Sequence, residues 1–216
     1  MTIKKFGHCC LLIEERSVRI LTDPGIYTVE KQRELKNVDI VLYTHEHPDH
    51  YHLESLKHIV ANNPRVKVLC NPGVGAQLSK RGVAHLVIGD GQATEERGVV
   101  IEGHGNVHAT LHPALPIVQN TGYFIAGRFW YSGDAFTDPG RHAEILALPI
   151  IGPWMKLSEA IDYALAQKPK LCFPVHDGIL NEMFLSYGSI HKAPAAVLEP
   201  HGIQFLSVEL DKEYVV

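Results

Sequence analysis

The sequence lacks several features that mark whole classes of protein. No apolar run approaches the roughly 18 residues that a membrane-spanning helix needs. There is no basic tract, and 20 basic against 24 acidic residues leave a formal charge of −4, which argues against a nucleic-acid surface built on charge. No low-complexity tract, internal repeat or Ser/Gly linker divides the 216 residues. We therefore expect a single domain over residues 1–216.

Cysteine is scarce, and the four copies show no Cys-x-x-Cys spacing. Cys9 and Cys10 are adjacent, and neighbouring strand positions face opposite sides, so these two thiols are poor disulfide partners. We expect buried thiols in a reducing compartment. The apolar stretch near the N-terminus is short and is cut by Glu14 and Glu15, unlike a signal peptide. These observations predict a cytoplasmic protein.

Short β-rich runs alternate with helical patterns along the chain. The predicted strands are residues 9–13, 18–21, 38–43, 66–69, 84–88, 99–101, 123–125, 129–131, 171–175 and 203–208. The predicted helices are residues 52–61, 74–80 and 158–167, the last with Ser158 as its N-cap. The stretch YFIAGRFWYSGD predicts a hairpin that turns at residues 126–128. Strands interleaved with helices in both halves predict layered packing, with the sheets shielded by helices.

Histidine is what the chain has in excess, with 14 copies. Residues 41–52, VLYTHEHPDHYH, place His45, His47, Asp49 and His50 directly after a buried-type strand. A loop at the end of a strand is the usual location for chemistry on a rigid support. Imidazole and carboxylate are the ligands that zinc, manganese and iron accept. The pattern therefore predicts a metal site at this strand end.

One loop cannot complete such a site, so other strand ends must supply ligands. Asp134 follows Gly133 in WYSGDAF, and a glycine there allows a close approach of the backbone. His176 ends another strand in LCFPVHDG. The segment GHGNVHATLH offers three candidates: His104, His108 and His112. These are spaced by four residues, so in a strand they share a face and alternation cannot choose among them.

Together these motifs resemble the metallo-β-lactamase superfamily over nearly the whole chain. THEHPDH matches the superfamily's histidine-rich loop, and SGD and PVH follow in its order and spacing. The GH near the N-terminus, TDP at residues 22–24 and the compact length resemble its L-ascorbate-6-phosphate lactonase-like branch. The resemblance implies an α+β fold, the αββα four-layer sandwich. In it, two mixed β-sheets pack face to face with helices on both outer faces, and the metals lie at one edge between the sheets.

The resemblance also implies a ligand set for two divalent metal ions, with zinc expected first and manganese or iron as alternatives. The implied first-metal ligands are His45, His47 and one histidine of GHGNVHATLH. The implied second-metal ligands are Asp49, His50 and His176, with Asp134 as the bridge. For the third ligand of the first metal we favour His108, because a small residue follows it and it precedes the next hairpin at a suitable distance. His112 and His104 are the alternatives.

Three further residues have expected roles near these ligands. In the superfamily an acid at the position of Asp23 hydrogen-bonds the histidine-rich loop and fixes imidazole tautomers. His8 is expected either beside the site or as a core histidine. Trp154 is expected either in the wall of a substrate pocket or in the core.

The resemblance implies a metal-dependent hydrolase. A metal-bridging hydroxide would cleave an ester, lactone or similar bond of a small cytoplasmic metabolite, with Asp49 as the nucleophile's hydrogen-bond partner and catalytic proton carrier. The alternatives are a phosphodiesterase or nuclease-type hydrolase, a non-enzymatic metal-binding module, and a flavodiiron redox protein. The full ligand set counts against the module, and the lack of a flavodoxin-like domain counts against the redox protein. The expected partner is a small-molecule substrate, without membrane or nucleic acid; a homo-oligomer is left open.

Overall fold

Two seven-stranded β-sheets organise the chain, which the computed structural model describes for residues 1–181, 183–184 and 189–216. The first sheet contains β1 (Thr2–Gly7), β2 (Cys10–Glu15), β3 (Val18–Thr22), β4 (Ile40–Tyr43), β5 (Lys67–Cys70), β6 (Leu86–Val87) and β14 (Glu213–Val215). Its order is β14-β1-β2-β3-β4-β5-β6. The strands from β14 to β3 are antiparallel, and those from β3 to β6 are parallel.

The second sheet repeats this mixed arrangement. It contains β7 (Ala93–Glu96), β8 (Val99–His104), β9 (Gly122–Ile125), β10 (Phe129–Tyr131), β11 (Ile145–Pro149), β12 (Leu171–Val175) and β13 (Gln204–Phe205). Its order is β13-β12-β11-β10-β9-β8-β7. Pairing is antiparallel from β7 to β10 and parallel from β10 to β13. The hairpin predicted at residues 126–128 joins β9 to β10 and is confirmed.

Helices cover the outer faces of the sheets. They are α1 (Val29–Gln32), α2 (Leu53–Asn62), α3 (Pro72–Ser79), α4 (Leu157–Gln167) and α5 (Ser189–Leu198), with 3-10 turns at Ile26–Thr28 and Glu199–His201. Among the described residues, no helix has the length and apolar character that crossing a membrane demands.

Three apolar cores hold the layers together. Between the sheets, residues such as Leu42 of the first sheet and Phe173 of the second are fully buried in one cluster. Outside the first sheet, Leu56 of α2 joins a second cluster. Outside the second sheet, Trp130 packs with α4 and donates its indole N–H to the Tyr163 hydroxyl at 2.6 Å. Each fully buried large side chain contributes about 1.5–3 kcal/mol. The predicted αββα sandwich is confirmed.

The differences from the predicted elements have local causes. α4 begins at Leu157 rather than after a Ser158 cap, because the Glu159 carboxylate accepts the Lys156 backbone N–H at 2.8 Å and fixes the first turn one residue earlier. Strands β1, β7, β11 and β14 were not predicted. β7 is the charged edge sequence ATEE, and β11 is a short apolar run whose periodicity does not separate strand from helix. All four cysteines are free and buried, as expected.

The topology brings several chain segments to one edge of the sandwich. Asp23 follows β3, Thr44 follows β4, Ser132 follows β10 and His176 follows β12. The long β8–β9 connection and the β1–β2 turn, which carries His8, lie at the same edge. This edge holds the residues that the sequence singles out.

Candidate metal centre

The histidine loop, residues 44–52, joins β4 to α2 and is largely buried. Thr44, His45 and His50 are fully buried. The backbone N–H of His50 donates to the His47 carbonyl at 3.0 Å, which closes a tight turn around Pro48. His52 caps α2 by accepting the Ser55 backbone N–H. The loop is therefore anchored at both ends by regular structure.

Two clusters of ligand-type atoms form around this loop. Within each cluster, one ligand atom per residue lies within 4.8 Å of all the others. The first cluster contains His45, His47, His108 and Asp134. The second contains His8, Asp49, His50 and His176. The geometry thus brings together all seven residues singled out as ligands in the sequence, and adds His8.

Of the three histidines in GHGNVHATLH, His108 is the one that joins a cluster of the described residues. Its backbone N–H donates to the Val118 carbonyl at 3.1 Å, and the next residue, Ala109, donates to the Asp134 carbonyl at 2.8 Å. His104 instead packs edge-on against Trp130. His112 is exposed.

Hydrogen bonds fix the tautomers of three ring ligands. His50 Nδ1 bonds to the Asp23 carboxylate at 2.7 Å. His108 Nδ1 bonds to the Ala109 carbonyl, and His176 Nδ1 to the Ile151 carbonyl, each at 2.6 Å. Carbonyls and carboxylates only accept, so in each neutral ring Nδ1 carries the proton and Nε2 presents a lone pair. These three Nε2 atoms are buried and have no hydrogen-bond partner. A metal ion is the partner that such atoms fit, because metal-bound histidine commonly donates its other N–H to an acceptor.

His45 follows the same logic through Thr44. The Thr44 hydroxyl donates to Asp23 at 2.6 Å, so its oxygen accepts from His45 Nδ1 at 3.0 Å. His45 Nε2 is therefore a bare acceptor, 3.1 Å from His47 Nδ1. His47 can donate to this lone pair when its proton is on Nδ1, and with its proton on Nε2 the two facing nitrogens can bind one cation instead. The residues present fit a divalent metal.

His8 has the opposite tautomer. The Gly178 backbone N–H donates to His8 Nδ1 at 3.2 Å, so the His8 proton is on Nε2. That Nε2–H donates to Asp49 Oδ2, also at 3.2 Å. Burial lowers the pKa of His8 to about 4, which keeps the ring neutral near pH 7. His8 lies among the ligand atoms but holds Asp49 rather than offering a lone pair.

Asp134 lies between the two clusters. His108 Nε2 is 3.4 Å and His45 Nε2 is 3.8 Å from its Oδ2. From the second cluster, His176 Nε2 is 3.0 Å from Oδ2 and His50 Nε2 is 3.2 Å from Oδ1. The carboxylate is 3% exposed. A single buried acid thus contacts ligands of both clusters.

Gly133 is required for this position of Asp134. Its φ is +63°, and a Cβ there would lie 2.3 Å from Asn120 Oδ1. The same Asn120 oxygen accepts the Asp134 backbone N–H at 3.0 Å. Any side chain at residue 133 would therefore displace the amide that orients Asp134.

Comparison with known proteins supports the assignment to a family. The model of the beta-lactamase superfamily domain matches residues 2–176. The chain belongs to the metallo-β-lactamase superfamily. The protein Rv0786c of Mycobacterium tuberculosis is 34% identical over 185 residues, covering 83% of this chain and 85% of the relative. A UPF0173 metal-dependent hydrolase of Methanocaldococcus jannaschii is 25% identical over 181 residues, covering 79% and 82%.

Solved structures show the same fold. The metallo hydrolase Igni18 from Ignicoccus hospitalis superposes with a TM-score of 0.75 at 18% identity, covering 99% of this chain and 97% of that one. The match of the beta-lactamase superfamily domain over residues 2–176 confirms the superfamily predicted from the histidine-rich loop. Together with the two ligand clusters, these findings make this superfamily member a metal-dependent hydrolase.

The electrostatics of the two clusters favour added positive charge. Burial alone would lower the pKa of His50, but the carboxylates of Asp134 and Asp23 raise it well above its usual value. In the same way, Asp134 overcomes burial and raises the pKa of His176 to about 9. These two histidines in turn hold the pKa of Asp134 well below its usual range. A divalent cation supplies the same compensation that protons would otherwise supply.

Asp23 holds the histidine loop, as the sequence predicted. Its Oδ1 accepts the Thr44 backbone N–H at 2.8 Å, and its Oδ2 accepts from Thr44, His50 and the Tyr131 hydroxyl. Asp23 is fully buried. One carboxylate therefore orients two of the rings and ties β3, β4 and β10 together.

Three contacts were not predicted from sequence. The Trp154 indole N–H donates to Asp134 Oδ2 at 3.0 Å, which gives Trp154 a role beside the clusters rather than a purely apolar one. Asn120 orients Asp134, as described above. Lys5, 2% exposed, donates to the Pro174 carbonyl at 2.8 Å and to Asp177 at 2.5 Å. The only sequence signal for Trp154 is general: a buried indole N–H needs an acceptor.

Proposed function

We propose that this protein hydrolyses an ester, lactone or similar bond of a small metabolite at a centre of two divalent cations. The observation that carries the proposal is the shared tautomer of His45, His50, His108 and His176, because each neutral ring directs an Nε2 lone pair at one cluster. Paired divalent cations, when bound, act as Lewis acids and lower the pKa of water. Zinc fits the nitrogen-rich set best, with manganese or iron as alternatives.

The proposed ligand assignment follows the two clusters. A first cation would be held by His45, His47 and His108, and a second by Asp49, His50 and His176. Asp134 would serve both, because its carboxylate contacts ligands from both clusters. His8 is left out because its Nε2 carries a proton.

Asp49 is the proposed proton carrier of the reaction. Its side chain is 23% exposed, whereas that of Asp134 is 3% exposed, so Asp49 is the acid that reaches the solvent side. The His8 N–H fixes one oxygen of Asp49. Asp49 can therefore accept a proton from the attacking water and return it to the leaving oxygen.

The chain folds and acts as one domain in this proposal. Its support is that the C-terminal strand β14 pairs with β1, and β13 pairs with β12 beside the strand that ends at His176. A small-molecule substrate suits ligand clusters that lie among the loops at one edge of the sandwich. The resemblance to the lactonase-like branch supports an ester or lactone over a phosphodiester.

The experiment combines metal analysis with a substrate panel. Purified protein is assayed for bound metal, then against esters, lactones and phosphodiesters, before and after chelation and metal return. Asp162→Ala, an exposed acid on α4, is the matched control for Asp134→Ala. The proposal expects ester or lactone turnover that chelation removes and metal restores. Turnover that survives complete metal removal, or phosphodiester turnover alone, would overturn it.

A further inference from the structure

The connection between β8 and β9 exposes an unusual number of apolar side chains. We call residues 105–119 the apolar loop. Val107, Leu111, Leu115 and Ile117 are between 47% and 54% exposed. Single exposed apolar residues need no explanation, but several on one segment beside a ligand cluster indicate a binding surface.

A cavity of about 110 Å³ lies between this loop and the first ligand cluster. Its lining includes His47 and His108 of that cluster and Leu111, Leu115 and Ile117 of the apolar loop. Since the two histidines belong to the cluster itself, the cavity borders the proposed reaction centre. A substrate could therefore place one of its groups in this cavity while the bond to be cleaved lies at the first cation.

The chemistry of the cavity selects an uncharged group. None of its lining residues is Lys, Arg, Asp or Glu. His112 also lines it, and the Ala114 backbone N–H donates to His112 Nδ1 at 3.1 Å, so a neutral His112 carries its proton on Nε2. The cavity thus combines apolar side chains with the ring edges of His47 and His112, which suits an apolar group next to an oxygen acceptor.

A second cavity, about 350 Å³, lies beyond His8 and has a different character. Lys5 and Lys31 line it, but each is already paired, Lys5 with Asp177 and Lys31 with Asp211. An incoming phosphate would have to displace these carboxylates. The cations near the site therefore do not form a ready phosphate site.

We propose that the cavity under the apolar loop binds the short apolar group of an uncharged ester or lactone. A cavity of about 110 Å³ accommodates a short apolar group. This inference rests on the proposed function and adds the substrate class. The subsite favours an uncharged group over a phosphate, because no Lys or Arg of the described residues lines it.

Binding can be tested without turnover by a series of methyl ketones, which are uncharged and cannot be hydrolysed. The full-length protein with its metals is titrated with acetone, methyl ethyl ketone, methyl propyl ketone and methyl butyl ketone, and backbone amide shifts are followed by NMR. We expect shifts at Ala109, Leu111 and Leu115, and an affinity gain of about fourfold per methylene, the ratio that 0.8 kcal/mol gives. Butyl phosphate should bind the loop at least tenfold more weakly than methyl propyl ketone.

Variants localise the effect. Leu115→Ser and Ile117→Ser should each weaken methyl propyl ketone binding at least threefold, while Leu86→Ser, an equally exposed apolar residue on β6, should not. Equal binding of butyl phosphate would overturn the inference, as would ketone shifts that avoid the loop. So would loop shifts that depend on protein concentration instead of ketone, which would mean that a second copy covers the loop.

The two proposals fail separately. If ketones bind as expected but no ester or lactone is turned over, the proposed function fails while the apolar subsite stands. If esters are hydrolysed but the ketone series shows no binding or no dependence on chain length, the subsite fails while the hydrolase proposal stands.

Discussion

The histidine loop and the apolar loop both contribute to one cluster, but they are built in opposite ways. In the histidine loop, Asp23 anchors Thr44 and His50 through a buried carboxylate. The apolar loop is tied near its ends, by the bonds from His108 to Val118 and from Thr121 to Gly105, while its middle is exposed. One loop is fixed by polar contacts, and the other presents free apolar surface.

The difference separates two tasks. Ligand atoms must hold their geometry within tenths of an ångström, which buried hydrogen bonds to rigid strands provide. A substrate must enter and leave, which requires an exposed surface beside the fixed atoms.

The largest effect is expected at Asp134, where the two clusters meet. Asp134→Ala removes the carboxylate that contacts both clusters. The rate of hydrolysis should therefore fall by at least about a hundredfold, since losing a residue that only supports a metal ligand already costs about 10–100-fold. Bound metal should fall as well, while the thermal transition remains, because the sheets have their own core. Kinetics and elemental analysis check this against Asp162→Ala. Near-wild-type turnover in Asp134→Ala would contradict the account.

Asp23→Asn should disturb the histidine loop without removing a proposed ligand. The new amide N–H₂ would face three donors, from Thr44, His50 and Tyr131, and would favour the wrong His50 tautomer. Metal affinity should fall about 10–100-fold, measured by competition with a chelator. Asp39→Asn is the control, because Asp39 also accepts a backbone N–H, from Arg19, but lies away from the clusters. Equal metal affinity in both variants would show that Asp23 does not act through the loop.

An effect of intermediate size is expected at Asp177, which follows β12 and is paired with the buried Lys5. Lys5→Met leaves Asp177 without its main partner, and breaking a buried pair in this way typically costs about 3–5 kcal/mol. Converting both partners, Lys5→Met with Asp177→Asn, should restore part of the free energy of unfolding. Chemical denaturation measures both variants. A double variant as unstable as the single one would mean that the pair is not the cause.

Much of this arrangement could be predicted from sequence, and the exceptions are physically clear. The spacing of His45, His47, Asp49 and His50 after an apolar strand is a local pattern, so the sequence alone predicts these ligands. His108 could not be separated from His104 and His112 by alternation. The choice depends on the turn that bonds Ala109 to Asp134, a contact between distant segments. The contacts of Trp154 and Asn120 with Asp134 are equally non-local and leave no pattern in the chain.

The smallest effect is expected in the apolar loop. Leu111→Ser should change the free energy of unfolding by no more than about 0.5 kcal/mol, as usual for an exposed position, and should leave bound metal unchanged. Denaturation curves and elemental analysis check this. A loss of metal comparable to that in Asp23→Asn would mean that both loops hold the ligands and that the division of tasks is wrong.

The central claim is that two clusters joined by Asp134 each bind one divalent cation through histidines of fixed tautomer. Cadmium NMR of the cadmium-loaded protein tests it most directly, because each bound ion gives its own signal and couples to its ligand nitrogens. The account predicts two signals per chain, coupled to Nε2 of His45, His50, His108 and His176 and to Nδ1 of His47. A single signal, or coupling to His8 or His112, would contradict it.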